Sequence, residues 1–362
     1  MSFESLLAAW DGEEAVVRRD EPTDTWMFVG VHSTVLGPAM GGTRMKAYPD
    51  PQDGLRDVLR LSRAMTLKQA VADLPYGGGK AVLAVPEVPP AGSDARRTLF
   101  LRYAELIGSL GGTYVTAADM NTGQADMDVI GERCPHVLGR SRERGGAGDP
   151  APNTAVGVFH GILATVDHVF GTRDLAGRSV LVQGVGAVGG PLVDLLHEQG
   201  ARIAVADAEP ERAKAAAERV GASVVDLDHV IGTECDVFSP CATGGVLSAW
   251  TIPALRCAVV AGAANNQLET PHDAERLVEA GILYAPDYVI NAGGVIHLAG
   301  YETLGWSKEQ MASRLEAIGD TLTEMFRTAR AEAITTDDAA ERMARARISS
   351  ARRDRAQENG FS

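Results

Sequence analysis

The feature that most constrains this chain is a glycine-rich turn between a predicted strand and a predicted helix. The segment SVLVQ leads into Gly184, Gly186 and Gly189, which are spaced as GxGxxG, and a helix is predicted from there to Gly200. A second strand, RIAVA, then ends at Asp207. The first glycine permits the tight turn, the second lets the backbone approach a pyrophosphate, and the third lets helix and strand pack closely. This order predicts a parallel α/β domain that binds a dinucleotide.

The turn supplies most of the candidate cofactor contacts. They are Gly184, Gly186, Ala187, Val188, Gly189 and Asp207. Free N–H groups at the start of the helix would bind the phosphates. Asp207 follows Gly189 by 18 residues, where a carboxylate accepts hydrogen bonds from ribose hydroxyls and repels a 2′-phosphate. The sequence therefore favours NAD over NADP, and the alternative is a glycine-rich turn that binds nothing.

Length and charge exclude several classes of protein. At roughly 150 residues per domain, 362 residues predict two domains. A net charge of −14 argues against a nucleic-acid binder, which needs a basic surface. No apolar run approaches the ~18 residues of a membrane span, and the N-terminus does not read as a signal peptide. Four cysteines without a CxxC or HExxH motif predict neither a disulfide framework nor a metal site. We expect a cytoplasmic protein with no membrane or nucleic-acid partner.

Hydrophobic patterns divide the chain into two α/β domains. The predicted elements of the first are a strand at 26–33, a glycine-rich turn at 37–45, a helix at 53–73 that LPYGGGK (74–80) breaks, and then a strand at 81–85, a helix at 94–109 and a strand at 113–119. The aperiodic stretch 139–153 predicts a boundary between domains at 1–148 and 149–309. A helix at 154–169, strands near 235–239, 258–262 and 283–290, and a helical end at 307–356 follow. Residues 310–362 are expected to pack back, at least in part, on the first domain.

Lysine is rare in this chain. Five of the 34 basic residues are lysines, and two of them, Lys68 and Lys80, lie in one short apolar and glycine-rich region. Lysine can lose its proton when its surroundings disfavour the charge, whereas arginine effectively cannot. Asp119 ends an apolar strand, where a carboxylate is either a proton-transfer partner or a helix N-cap. These residues predict a site for acid–base chemistry, with surface amines and a helix cap as the alternative.

Seven segments together resemble the Glu/Leu/Phe/Val dehydrogenase family. They are GPAMGGTRM, MTLKQAVADLPYGGGKAV, TYVTAADMNTGQADMD, NTAVGVF, VLVQGVGAVGG, AGAANNQL and LYAPDYVINAGGVIHL. These segments occur in the same order as in the family and span almost the whole chain. Among the members of the family, the sequence resembles the shorter actinobacterial phenylalanine dehydrogenases most. The resemblance implies an N-terminal α/β substrate domain and a Rossmann-type domain separated by a cleft. It also implies a homo-oligomer built through the first domain.

The resemblance assigns roles to particular residues. Lys68 would bind the substrate carboxylate together with the backbone of Gly41 and Gly42. Lys80 would activate the attacking water, and Asp119 would exchange protons with the substrate nitrogen. The implied cofactor contacts add Thr154, Ala242, Ala264 and Asn265, the last of which would also hold the substrate. The implied reaction converts an L-amino acid, NAD and water to a 2-oxo acid, NADH and ammonium.

The resemblance also places the substrate side chain against Met40, Ala117 and Val295. Related phenylalanine enzymes tend to have glycine where Ala117 stands, so this pocket resembles the leucine and valine enzymes. One methyl group is worth only about 1–3 kcal/mol of discrimination, so we expect a broad hydrophobic specificity. Core packing is the alternative for these three residues. Two other functions stay open, a non-catalytic NAD sensor and a hydroxy-acid dehydrogenase of similar fold.

Overall fold

The computed structural model describes residues 3–359, with side chains through residue 357. The described chain forms two compact units, the first of residues 3–149, 298–305 and 344–359, and the second of Pro150–His297 and Trp306–Met343. The first boundary therefore falls one residue after the predicted one.

Each unit is an α/β structure. The helices and strands of the N-terminal part are α1 (Phe3–Ala8), β1 (Glu14–Asp20), β2 (Thr25–Ser33), β3 (Ala39–Lys46), α2 (Pro51–Val71), β4 (Gly77–Ala84), α3 (Asp94–Ser109), β5 (Tyr114–Ala118) and α4 (Gln124–Ile130). The remaining elements are α5 (Ala151–Phe170), β6 (Ser179–Gln183), α6 (Gly189–Glu198), β7 (Arg202–Ala206), α7 (Pro210–Val220), β8 (Ser223–Val224), β9 (Val237–Pro240), β10 (Val259–Val260), α8 (His272–Glu279), β11 (Leu283–Tyr284), α9 (Asp287–Ile290), α10 (Gly293–Glu302), α11 (Lys308–Glu332) and α12 (Thr336–Asn359).

The first unit is built on a five-stranded sheet in the order β1-β2-β4-β3-β5. Strand β3 runs parallel to β4 and β5, whereas β1 and β2 are antiparallel to their neighbours. Helix α2 begins at Pro51, and the side chain of Asp50 caps it by accepting a hydrogen bond from the Gln52 N–H. Leu55, Val58 and Leu59 of α2 belong to the apolar cluster that includes Phe28 and Val82 of the sheet. The helix thus covers one sheet face.

The other face of this sheet packs on α3 and α4. A larger apolar cluster there combines Val29, Met45 and Leu83 with Phe100 and Ile107. Alternate residues of each strand point to opposite faces, so the residues between them on β3 and β4 face α2. This alternation places Lys80 and Arg44 on the α2 side.

The glycine-rich segment 37–45 is mostly a strand, so the predicted turn is wrong. Residues 39–46 form β3 in the interior of the sheet, and β4 begins at Gly77, inside the segment predicted to be a break. The glycines are required by close backbone packing. A Cβ on Gly42 would lie 2.5 Å from the carbonyl oxygen of Ala118, and one on Gly79 would lie 2.7 Å from the Tyr114 ring. Glycine is common in turns, but it is also needed where strands pack closely against other backbone. Composition alone did not distinguish the two cases here.

The second unit contains a six-stranded parallel sheet in the order β11-β10-β9-β6-β7-β8. Renumbered from its first strand, this is the order 6-5-4-1-2-3 of dinucleotide-binding folds. The turn after β6 leads directly into α6, as the sequence predicts. The strand predicted over 283–290 is shorter, because Pro286 starts a new turn and Asp287–Ile290 is helical.

The helical end divides between the units. Helix α11 belongs to the second unit, where Ile318 and Leu322 pack closely on Gly157 and Gly161 of α5. The end of α12 belongs to the first unit, where Arg347 donates a 2.9 Å hydrogen bond to the Ala70 carbonyl. Of the segment 310–362, the end of α12 therefore lies in the first unit, whereas α11 packs within the second.

Candidate functional site

Lys80 and Asp119 form an ion pair in the first unit. Lys80 lies within β4 and is 5% exposed, while Asp119 directly follows β5. The Lys80 Nζ is 3.1 Å from Oδ1 of Asp119. Lys80 is therefore not a surface amine, and the residue that caps α4 is Gly123, not Asp119. A buried amine beside a carboxylate is an arrangement that can hold and move a proton.

A second cation holds the other oxygen of this carboxylate. The Arg44 Nε donates a 3.0 Å hydrogen bond to Oδ2 of Asp119. Burial alone would raise the pKa of Asp119, but the charges of Lys80 and Arg44 outweigh it and lower that pKa to about 2. Asp119 is therefore ionised at neutral pH.

Glycine and alanine make room for this pair. Gly42 is paired with Ala117 in the β3–β5 ladder, and a Cβ on Gly42 would lie 2.8 Å from the Asp119 Cβ. Ala117 is 6% exposed and Met40 is 1% exposed. The carbonyl of Gly41 accepts a 2.6 Å hydrogen bond from the Tyr114 hydroxyl, which holds β3 against β5. The predicted substrate residues Met40, Gly41, Gly42 and Ala117 thus lie on β3 and β5, and Gly42 packs directly against Asp119.

Lys68 lies in the last turn of α2 and is half-buried. Thr66, in the same turn, contacts β4 at Gly78, where a Cβ would overlap it. Because α2 covers the sheet face that carries Lys80, both candidate lysines belong to the same face of the first unit.

Arg44, Asp57 and Tyr48 are site residues that sequence reasoning missed. The Arg44 Nη1 donates a 2.9 Å hydrogen bond to Oδ2 of Asp57, and the Tyr48 hydroxyl donates a 2.7 Å hydrogen bond to the same oxygen. A signal was present in the segment GGTRM. In a strand, Arg44 shares a face with Gly42, but this alternation is invisible when the segment is interpreted as a turn.

The glycine-rich turn of the second unit has the shape of a phosphate cradle. Gly184 has a φ of +93°, and a Cβ there would lie 2.7 Å from the Cβ of Ala242. At Gly186 no atom lies within 4 Å of where a Cβ would stand, so this backbone is open to a ligand. Ala187 is exposed and Val188 directly precedes α6, so the turn lies at the N-terminus of that helix. These features fit a dinucleotide pyrophosphate.

Asp207 lies at the carboxyl end of β7 beside this turn. Its Oδ2 accepts a 2.9 Å hydrogen bond from the Val185 N–H, and its Oδ1 accepts one of 2.9 Å from the Glu209 N–H. Burial raises the pKa of Asp207, but these backbone hydrogen bonds and the Arg212 charge outweigh it, so the pKa is lowered. An ionised carboxylate at this place fits ribose hydroxyls.

The remaining predicted residues also lie in the second unit. Asn265 is exposed, and its Oδ1 accepts a 2.8 Å hydrogen bond from the amide of Asn291, a positioning contact that sequence reasoning missed. Ala264 is buried one residue earlier. Thr154 of α5 donates a 3.0 Å hydrogen bond to the Pro150 carbonyl. Val295 is a half-buried residue of α10, so it belongs to a different unit from Met40 and Ala117.

Two features are absent from the described part of the chain. Between residues 3 and 357, no group of three or more His, Cys, Asp or Glu side chains has the arrangement of a metal site. Across that same span, none of the helices combines the length and apolar character of a membrane span.

Comparison with known proteins gives two family matches. The model described as Glu/Leu/Phe/Val dehydrogenase, dimerisation domain, matches residues 20–136, and the model described as Glutamate/Leucine/Phenylalanine/Valine dehydrogenase matches residues 205–356. Together they cover more than half of the chain.

Individual relatives match over nearly their whole length. Leucine dehydrogenase of Geobacillus stearothermophilus is 41% identical over 355 residues, which is 98% of this chain and 95% of the relative. Valine dehydrogenase of Streptomyces virginiae is 42% identical over 343 residues, 94% of each chain. The crystal structure of L-tryptophan dehydrogenase from Nostoc punctiforme superposes with a TM-score of 0.82 at 37% identity, covering 97% of this chain and 100% of that one.

Proposed function

Because the chain belongs to the Glu/Leu/Phe/Val dehydrogenase family, we propose that it oxidatively deaminates a hydrophobic L-amino acid, reversibly, with NAD as the oxidant. An L-amino acid, NAD⁺ and water give a 2-oxo acid, NADH, ammonium and a proton. The chain is an amino-acid dehydrogenase that acts on a CH–NH₂ group, as the sequence predicts. The relatives give no support to a sensor or a hydroxy-acid dehydrogenase.

The observation that carries the proposal is the buried pair of Lys80 and Asp119 beside Gly42. Oxidative deamination needs a group that takes a proton from water as it attacks the iminium carbon, and a group that exchanges protons with the nitrogen. The Lys80 Nζ takes the first role and the ionised Asp119 the second. Lys68 binds the substrate carboxylate, which fixes the direction of Cα.

The chain's own residues hold the cofactor by its two ends. The turn from Gly184 to Gly189 receives the pyrophosphate, and Thr154 and Asn265 receive the nicotinamide end. When bound, the nicotinamide accepts the hydride that leaves Cα. Asn291 holds Asn265 through the 2.8 Å hydrogen bond, so the amide of Asn265 is pre-oriented before any ligand arrives.

We assign the substrate side chain to apolar surroundings that include Met40 and Ala117 of the first unit. The three lysines outside the site, Lys46, Lys214 and Lys308, are all exposed, which leaves no spare lysine for a side-chain carboxylate. A neutral side chain therefore fits best. Relatives named for leucine, valine and tryptophan support a hydrophobic class, and a preference for phenylalanine stays a prediction.

The choice of NAD rests on Asp207. Its carboxylate is ionised and 5% exposed, and it would repel a 2′-phosphate. The test is kcat/KM with NAD and with NADP for the wild type and for Asp207→Ser. We expect the wild type to prefer NAD by at least about tenfold and the variant to reduce that ratio. An unchanged ratio would remove Asp207 as the determinant, and a wild-type preference for NADP would overturn the proposal.

The function itself is tested by NADH formation with single L-amino acids, namely Phe, Tyr, Trp, Leu, Ile, Val, Met, Ala and Glu. Turnover with hydrophobic substrates and not with Glu is expected. Lys80→Ala should abolish turnover and leave NADH binding intact, whereas Lys214→Ala, which removes an exposed lysine, should change neither. No turnover of any amino acid by a protein that binds NADH would instead support a sensor, and turnover of 2-hydroxy acids would support the other alternative.

We also propose self-association through the first unit. The support is the description of the family model that matches residues 20–136, which names a dimerisation domain. Light scattering after size-exclusion chromatography measures the mass directly. A mass of 38.1 kDa across the working concentration range would contradict this proposal.

A further inference from the structure

Five charged side chains of alternating sign form a continuous row in the first unit. They run Lys80, Asp119, Arg44, Asp57 and Arg60. Successive N···O distances are 3.1, 3.0, 2.9 and 2.9 Å. Only the first two belong to the proposed proton-transfer pair, so the other three require a separate explanation.

Arg44 is the centre of this row. Its side chain is 14% exposed, and it donates to Asp119 through Nε and to Asp57 through Nη1. A planar guanidinium holds two carboxylates at fixed angles, which the single ammonium of lysine cannot do. The geometry therefore fixes the plane of the Asp119 carboxylate relative to β3.

Asp57 is in turn held from two sides. Tyr48 donates to its Oδ2 at 2.7 Å and Arg60 to its Oδ1 at 2.9 Å. Burial raises the pKa of Asp57, but the Tyr48 hydrogen bond and the Arg44 charge outweigh it and lower that pKa. Burial and the same hydrogen bond raise the pKa of Tyr48, which keeps it a donor. Asp57 is therefore a permanent anion that anchors Arg44.

We propose that Arg44 is a positioning residue for the reaction. Asp57 anchors Arg44, and Arg44 orients the Asp119 carboxylate and neutralises part of its negative charge, so that Lys80 is not its only cationic partner. This inference rests on the proposed function of Lys80 and Asp119. A carboxylate paired with one ammonium stabilises the protonated amine strongly. With a second cation on Oδ2, the charge of the carboxylate is shared between two cations, and its stabilisation of the ammonium is reduced.

The charged groups around Asp119 come from several elements. Lys80 faces it from β4 and Arg44 from β3. Asp57 and Arg60 stand behind Arg44 on α2, and Tyr48 lies on the chain between β3 and α2. Lys68 is on the same face of α2 as Asp57, because 11 residues are close to three full turns. Its position, three turns along the helix, makes it a separate cation for the substrate carboxylate.

The test compares the pH profile of kcat/KM for wild type, Arg44→Gln, Arg44→Lys and Asp57→Asn. Removal of the positive charge of Arg44 favours protonation of the Lys80–Asp119 pair. In Arg44→Gln the acid limb of the kcat/KM profile should therefore move to higher pH by about 1 unit. Removal of the negative charge in Asp57→Asn should move it the other way by about half a unit. Arg44→Lys retains the charge but not the fork, so its acid limb should stay near that of wild type while kcat falls about tenfold.

Arg102→Gln is the matched control. It removes the guanidinium that pairs with Asp20, which is 3% exposed, in the same unit. It should lower thermal stability as Arg44→Gln does and leave the pH profile unchanged. Opposite shifts in Arg44→Gln and Asp57→Asn support the proposal, because loss of structure alone would not reverse with the sign of the charge. Unshifted profiles in both would overturn it.

A second readout does not depend on turnover. Labelling with acetic anhydride across pH, followed by mass spectrometry of the peptide that contains Lys80, measures where its amine becomes reactive. Five lysines in the chain make that peptide easy to assign. The labelling midpoint should rise in Arg44→Gln and fall in Asp57→Asn. If the labelling midpoints shift in this way but the protein has no turnover, the inference about Arg44 stands and the proposed function is rejected. If the enzyme is active but all variants have the same midpoint, the proposed function stands and the inference about Arg44 is rejected.

Discussion

A Cβ atom on Gly42 would lie 2.8 Å from the Cβ of Asp119, so the carboxylate can stand beside β3 only because residue 42 has no side chain. The same Cβ would lie 2.5 Å from the Ala118 carbonyl oxygen, which is backbone and cannot move aside without opening the ladder between β3 and β5. The position of the Lys80–Asp119 ion pair is therefore determined by strand packing as well as by charge.

Gly42→Ala should reduce activity far more than it reduces folding. Displacement of Asp119 by a fraction of an ångström should lower kcat/KM by about 10–100-fold, and the added methyl should cost about 1–3 kcal/mol of stability. Gly108→Ala is the control, because it lies in α3 with no atom within 4 Å of the new Cβ. Steady-state kinetics and thermal denaturation of both variants give the comparison. Full activity in Gly42→Ala would show that Asp119 does not need its observed place.

Ala117→Gly should shift the substrate preference towards larger side chains. Ala117 is 6% exposed and pairs with Gly42, so its methyl occupies space beside the proposed substrate. Its loss should raise the ratio of kcat/KM for phenylalanine to that for leucine by about tenfold. Ala118→Gly makes the same change at an exposed neighbour and should leave the ratio unchanged. Equal ratios in all three proteins would place Ala117 outside the substrate pocket.

Two glycines of the turn should respond differently to the same substitution. A Cβ on Gly186 meets no atom within 4 Å, whereas one on Gly189 would overlap the carbonyl oxygen of Gly184. Gly186→Ala should therefore fold normally and weaken NADH binding about tenfold or more, since the methyl fills the space of the pyrophosphate. Gly189→Ala should lower the melting temperature. Fluorescence titration with NADH and thermal denaturation separate the two effects, and unchanged NADH affinity in Gly186→Ala would contradict the assignment of the cradle.

An acidic cluster at the start of α12 lowers stability near neutral pH. Burial, together with the charges of Asp287, Glu341 and Asp338, raises the pKa of Asp337 from 3.8 to about 7. Between about pH 4 and pH 7 the unfolded chain ionises this group while the folded chain keeps it protonated. Stability from this residue is therefore full below about pH 4 and is lost as the pH rises to 7.

Asp337→Asn should consequently raise the melting temperature at pH 8 by about 2–4 °C, and the gain should shrink as the pH falls to 4. Asp338→Asn is the contrasting variant. The Asp338 carboxylate accepts a 2.8 Å hydrogen bond from the Thr335 hydroxyl, which caps the helix by accepting one of 3.0 Å from the Asp338 N–H. Loss of the carboxylate should therefore lower the melting temperature at pH 8. Thermal denaturation of both variants across pH checks the opposite signs. A lower melting temperature for Asp337→Asn at pH 8 would contradict the raised pKa of Asp337.

Sequence patterns predicted the second unit better than the first. The turn at Gly184 depends on local rules, because strand, turn and helix are neighbours in the chain, and each glycine has a separate geometric reason. The helices predicted from the hydrophobic pattern at 53–73 and 94–109 correspond to α2 and α3. These elements needed no knowledge of distant contacts.

The segment around Gly42 could not be interpreted in this way. Its glycines are explained by contacts with Asp119 and Ala118, which are more than 70 residues away in the chain. Once that segment is placed in the sheet, Arg44 falls on the site face, and its two carboxylate partners follow from geometry. The pairing of Asn265 with Asn291 likewise depends on the return of the chain, and composition contains no sign of it.

The close packing of the three glycines at the start of β4 has a practical consequence for protein engineering. Side chains on Gly77, Gly78 or Gly79 would meet Ser33, Thr66 or Tyr114, so saturation libraries at these positions should return almost exclusively wild-type codons. We expect functional variants at the neighbouring apolar positions Met40 and Ala117, where side chains of other sizes can replace the present ones. A small combinatorial library at Met40 and Ala117 can be screened for altered substrate range, and it avoids the glycine positions, which do not accept a side chain.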